Sequence, residues 1–117
     1  MGIQNLSEDV LLITLPRQPQ YGDELEVVST MFGDSFDGDV VIDFSDVKML
    51  TSEVISGLMM LDKLLRRAGR HLVLCSLPPI IKQVFVRTGL LTVLEFADNR
   101  SDALANLQSG KMSQAGA

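Results

Sequence analysis

A chain of 117 residues, 46% hydrophobic and 21% charged, is long enough to bury one substantial core and too short for two domains of ordinary size. Its formal net charge of −5 opposes the phosphate backbone of nucleic acid, and its apolar runs break well short of the roughly 20 residues that span a bilayer. Nucleic-acid and membrane partners are therefore not expected. One cysteine, Cys75, and one histidine, His71, make neither an internal disulfide nor a structural zinc site.

The opening MGIQNLSEDV has no basic stretch leading into an apolar one, and Ser7 falls one place late for a myristoylation signal, so a cytoplasmic protein is expected. DVLLITLP is rich in Val, Ile and Leu and is stopped by Pro16 and Pro19, which predicts a buried strand over 9–15. After the loop PRQPQYG, the spacing of Leu25, Val28, Met31 and Phe32 predicts an amphipathic helix from Asp23 to Gly33. GDSFDGD reads as a link, and DVVIDF, residues 39–44, as a central strand buried on both faces.

TSEVISG, residues 51–57, opens the most regular helix. Val54, Leu58, Leu61 and Leu65 mark its inner face, with Ile55, Met59 and Leu64 widening it, while Asp62, Lys63, Arg66 and Arg67 take the other side. Gly69 ends it, and the two arginines complement the negative end of the helix dipole. HLVLC, residues 71–75, is the next strand. SLPP breaks it, and Ile80, Ile81, Val84 and Phe85 form a further helix face closed by Gly89. LLTVLEF reads as a short last strand, Ser101 as the cap of a final helix carrying Leu104 and Leu107, and 109–117 as a mobile tail.

This alternation predicts an α/β fold: a single domain over 1–117, with its core at about 9–108 and a mostly parallel or mixed sheet of about four strands packed by about four helices. Function in such sheets gathers at the carboxyl ends of strands, and TSEVISG sits at one of them. Phosphate-loop, nucleophile-elbow, CxxC and HExxH patterns are missing, so no catalytic residue, metal site or cofactor is indicated. Cys75 reads as a small buried hydrophobe and His71 as structural or exposed. Asp43 and Asp46 read as strand-end aspartates that bond local backbone.

These residues resemble the STAS domain family, the domain of sulfate transporters and bacterial anti-sigma factor antagonists, over roughly Asp9 to Leu107. The family's strand ending in Asp-Leu-Ser is matched by Asp43-Phe44-Ser45, its glycine turn by Gly69, its helix-opening proline by Pro79, its Thr-Gly-Leu by Thr88-Gly89-Leu90, and its final helix by Asp102-Ala103-Leu104. At the family's Asp-Ser-Ser-Gly this chain has Thr51, Ser52, Glu53 and Val54, and its N-terminal Gly-x-Leu-Asp is replaced by PRQPQYGDELE. The second serine of that motif is the usual phosphoacceptor in antagonists. Glu53 stands in its place, with one negative charge where a phosphoserine carries about −1.5 to −2.

The resemblance implies a non-enzymatic regulatory domain that binds an anti-sigma factor or a related serine/threonine kinase. Its switch or partner loop is Thr51, Ser52, Glu53 and Ser56, and Asp43 and Ser45 are candidates for the partner surface. Thr51 or Ser52 caps the helix on any reading. The loop is then a phospho-switch at one of those hydroxyls, an unswitched surface with its charge set by Glu53, or a cap alone. A homodimer is left open. The alternatives are a small-ligand or lipid-binding module with an apolar pocket between helix and sheet, and an enzyme using Asp43 or Glu53.

Overall fold

The computed structural model describes residues 2–17 and 38–109. The helix expected over 23–33 and the tail after Ser109 lie outside the described residues. The elements are β1 (Gly2–Ser7), β2 (Val10–Thr14), β3 (Asp39–Asp43), α1 (Ser52–Arg67), β4 (Leu72–Cys75), α2 (Pro79–Arg87), β5 (Glu95–Ala97) and α3 (Arg100–Ser109), with a 3-10 turn at Leu90–Thr92. They build an α/β fold on one five-stranded mixed sheet in the order β1-β2-β3-β4-β5, with three helices among the described residues.

β1 pairs antiparallel with β2, and every later neighbour is parallel. It is the strand that sequence pattern did not reveal. GIQNLS has no apolar run, because Ile3, Gln4 and Asn5 are exposed and Leu6 alone among its described residues packs against the core; β2's outward row of backbone N–H and C=O groups supplies the template.

Strands β2, β3 and β4 are buried on both sides, which is why they read as unbroken apolar runs. On one face Leu11, Ile13, Val40, Ile42, Leu72 and Leu74 meet Val54, Leu58, Leu61 and Leu65 of α1 and Ile81 and Phe85 of α2. On the other, Val10, Leu12, Val41, Val73 and Cys75 meet Ala103, Leu104 and Leu107 of α3. A fully buried Leu or Ile contributes about 1.5–3 kcal/mol relative to exposure, so these two layers supply the main driving force.

α1 ends as its sequence directs. Gly69 adopts φ 75, Gly69 N–H donates to the Arg66 carbonyl and Arg70 N–H to the Leu65 carbonyl, which is a Schellman closure. Its faces are rotated from expectation. Asp62, read as an outer residue, is buried, whereas Met59 and Leu64, read as inner, are 40% and 37% exposed. Asp62 is one turn from Leu58 on the buried stripe, so position overrides polarity.

Two other expectations change. LLTVLEF does not form one strand: Gly89 at φ 76 turns the chain into the 3-10 turn, Leu94 plugs the core, and pairing begins only at Glu95. The last helix is capped by Asn99, whose side-chain oxygen accepts from Asp102 N–H at 2.8 Å, with Ser101 already inside the helix.

Candidate functional site at the carboxyl end of the sheet

The parallel register sets Thr14, Asp43, Cys75 and Ala97 level with one another at the carboxyl ends of β2 to β5. Asp43 is buried at the centre of this row. Its Oδ1 accepts from Ser45 N–H at 2.7 Å, and its Oδ2 pairs with Nε of Arg100, the first residue of α3. The Arg100 Nη2 also donates to Thr14 Oγ1 at 3.4 Å. Burial alone pushes the Asp43 carboxyl up. Hydrogen bonds from Ser45, joined by Arg100, outweigh it and hold the carboxyl below its ordinary value. Beside it, burial pushes the Cys75 thiol up to about 11, so the free cysteine is held as a neutral, unreactive thiol.

The connection from β3 to α1 is anchored at its start. Phe44 and Val47 are buried, Phe44 N–H donates to the Cys75 carbonyl, and Val47 N–H donates to the Phe44 carbonyl. Lys48 N–H reaches the Arg17 carbonyl at 2.8 Å. The chain then arrives at Thr51 in an extended conformation, where Thr51 Oγ1 accepts from Val54 N–H at 3.2 Å. Thr51 is thus the N-cap, and Ser52 is the first residue of the helix.

Thr51, Ser52, Glu53 and Ser56 are all exposed at this amino end of α1. Among the described residues no group bonds the Ser52 hydroxyl. Glu53 lies in the first turn, where a carboxylate complements the dipole. Ser45 is exposed, whereas Asp43 is not: what solvent meets there is the half-exposed Arg100 guanidinium. Asp43 itself is a buried anchor, its carboxylate drawn inward by Ser45 N–H and the Arg100 guanidinium. Arg100 escaped the sequence reading. The signal was present, since an arginine at the positive end of a helix dipole needs a partner elsewhere.

A second charged cluster lies toward the amino ends of β4 and β5. Arg66 Nε sits 2.9 Å from Asp62 Oδ2, and Arg66 Nη2 donates to the Val93 carbonyl at 2.9 Å. His71 Nδ1 is 3.0 Å from Glu95 Oε1, and Glu95 Oε2 is buried with no hydrogen-bond partner among the described residues. Burial raises the Asp62 carboxyl above its ordinary value; Arg66 opposes the shift and Glu95 reinforces it. The cleft lined by Leu77, Lys82, Phe96, Ala97 and Asp98 holds about 130 Å³, below the roughly 300–1,000 Å³ of small-molecule sites. Among the described residues no helix is long and apolar enough to cross a membrane.

A mixed sheet with one antiparallel edge, helices on both faces and an exposed hydroxyl-bearing helix start at its carboxyl end places the molecule in a recognisable α/β class. The family model of the STAS domain matches residues 8–103, and the chain belongs to that family.

Solved structures agree on the fold. A putative anti-sigma factor antagonist from Thermotoga maritima is 15% identical with a TM-score of 0.77, covering 92% of this chain and 93% of its own. The anti-sigma factor antagonist SpoIIAA in its unphosphorylated form is 14% identical with a TM-score of 0.79, over 92% and 96%. RsbS from Moorella thermoacetica, carrying a serine-to-glutamate substitution, is 20% identical with a TM-score of 0.73, over 95% and 97%. No curated protein matches the sequence.

Proposed function

We propose that this chain is a non-enzymatic anti-sigma factor antagonist that binds an anti-sigma factor or a related serine/threonine kinase through the start of α1, and that phosphate on Ser52 ends the complex. The observation that carries this reading is the exposed, unengaged Ser52 hydroxyl at the first position of a helix. Thr51 is the lesser acceptor, because its oxygen already serves as the cap. Support for the class comes from family membership and from structural neighbours described as anti-sigma factor antagonists.

Phosphate at Ser52 is compatible with the helix, since anions are favoured at its amino end. It adds about −1.5 to −2 charge beside the single charge of Glu53, which changes what a partner meets without unfolding the loop. Glu53 sets a constant background charge and does not itself switch. Asp43, Ser45 and Arg100 hold the base of the loop and leave its tip exposed. We assign the whole chain to one domain.

Mass spectrometry after incubation with the anti-sigma factor kinase and ATP tests the reading. One phosphate on Ser52 and loss of the complex are expected, and Ser52→Ala should keep the complex in the presence of ATP. Phosphate confined to residues outside 51–52 would overturn the switch. Failure of the unmodified chain to bind any anti-sigma factor or kinase would overturn the partner.

A further inference from the structure

The outward face of α1 carries a pattern that begins in the loop-end residues Glu53 and Ser56, continues well past them, and is not explained by the core. Glu53, Ser56, Met60, Lys63 and Arg67 follow one another at steps of three and four residues, the spacing of a helix-packing seam. All five are exposed. Met60 at their centre is 57% exposed, with Met59 and Leu64 beside it at 40% and 37%. Met59, Met60 and Leu64 together make an apolar patch in the middle of an outward helix face, with charges at both ends, which a docked helix would cover.

The charges identify the occupant. Glu53 lies seven residues before Met60 and Arg67 seven residues after it. At 1.5 Å per residue the two charges are about 21 Å apart on the same face, equidistant from the methionine. A second α1 laid antiparallel with its two-fold axis at Met60 therefore sets Glu53 of each chain against Arg67 of the other. Met60 meets its own copy at the axis, and each Leu64 stands over the small Ser56 of the opposing helix. Parallel packing would oppose like charges at both ends, and antiparallel packing also pairs the helix dipoles favourably. Neither Glu53 nor Arg67 is engaged in an ion pair among the described residues.

We infer that the outward face of α1 is a two-fold interface at which a second copy of this chain docks. A contact along one helix of this length falls in the smallest class of specific interfaces, under about 1,200 Å², so the dimer is weak and concentration-dependent. The inference does not depend on the partner assigned above.

Sedimentation equilibrium of the full chain over a wide concentration range tests it. A monomer–dimer equilibrium that weakens with added salt is expected. Glu53→Arg and Arg67→Glu should each weaken it roughly tenfold, because each contact occurs twice, and the two together should restore it. Met60→Asp should abolish it, with circular dichroism confirming that the variant is folded. A chain that stays monomeric, a dimer indifferent to Met60→Asp, or a dimer that the paired reversal fails to rescue would each overturn the proposal.

Discussion

Asp43 and Asp62 are two buried aspartates of one small protein, and their carboxyls shift in opposite directions. Burial is the largest influence on both and pushes both up. The difference lies in the donors. Asp43 gathers Ser45 and Arg100 around its two oxygens, and together they reverse the effect of burial. Asp62 has Arg66, which is more than half exposed and shares its guanidinium with the Val93 carbonyl, and it has the acidic Glu95 nearby. The carboxyl end of the sheet thus carries a satisfied anchor and the other cluster an undersupplied one. The comparison teaches that burial sets the cost of a charge, while the count of donors decides which protonation state the fold prefers.

The largest way to break this comparison is Arg100→Met, which leaves the Asp43 carboxylate buried with fewer donors. A loss of about 2–3 kcal/mol in chemical denaturation is expected. A loss under half of that would mean that Ser45 alone supports the charge.

Titration sharpens the same contrast. The Asp43 carboxyl is depressed in the folded state, so its contribution is present above the ordinary carboxylate value near 3.9 and fades as pH falls through the folded value. The stability difference between the wild type and Asp43→Asn should therefore shrink on acidification. For Asp62 the sign is opposite. Its folded carboxyl is raised, so its contribution is present in acid and is lost as pH rises through the folded value. Urea melts of both variants from pH 3 to pH 7 check the two signs together.

Two smaller effects separate charge from local structure. Thr51→Ala removes the cap bond to Val54 N–H without touching Asp43, and should cost about 1 kcal/mol with little pH dependence. Asp62→Asn at neutral pH should change stability by about 0.5 kcal/mol or less, because it removes an ill-supported charge along with its bridge to Arg66. A large loss in that variant would show that Arg66 supports Asp62 far better than its exposure suggests.

Much of the fold was legible because apolar periodicity and local punctuation act over a few residues. DVVID reads as a doubly buried strand and is one, and Gly69 ends α1 in the left-handed turn that only its permissive backbone takes easily. The hydroxyls and carboxylate of TSEVISG were legible as a helix start, and Thr51 fulfils that role. The sequence did not reveal β1, whose pairing depends on an edge that exists only once β2 joins the sheet. Nor did it reveal the turn at Leu90–Thr92, where core access for Leu94 outweighs the strand preference of LLTVLEF.

By itself, then, the sequence determined most of the alternating elements, the family and the helix start at Thr51, since these follow from spacing, capping and turn residues along the chain. Only the tertiary structure decided what each charge does. Asp43 meets Arg100 across 57 residues of chain, and Met59, Met60 and Leu64 face outward while Asp62 faces in. The physical reason is that a charge answers to whatever the fold places within a few ångströms, and that neighbourhood is written in no local pattern.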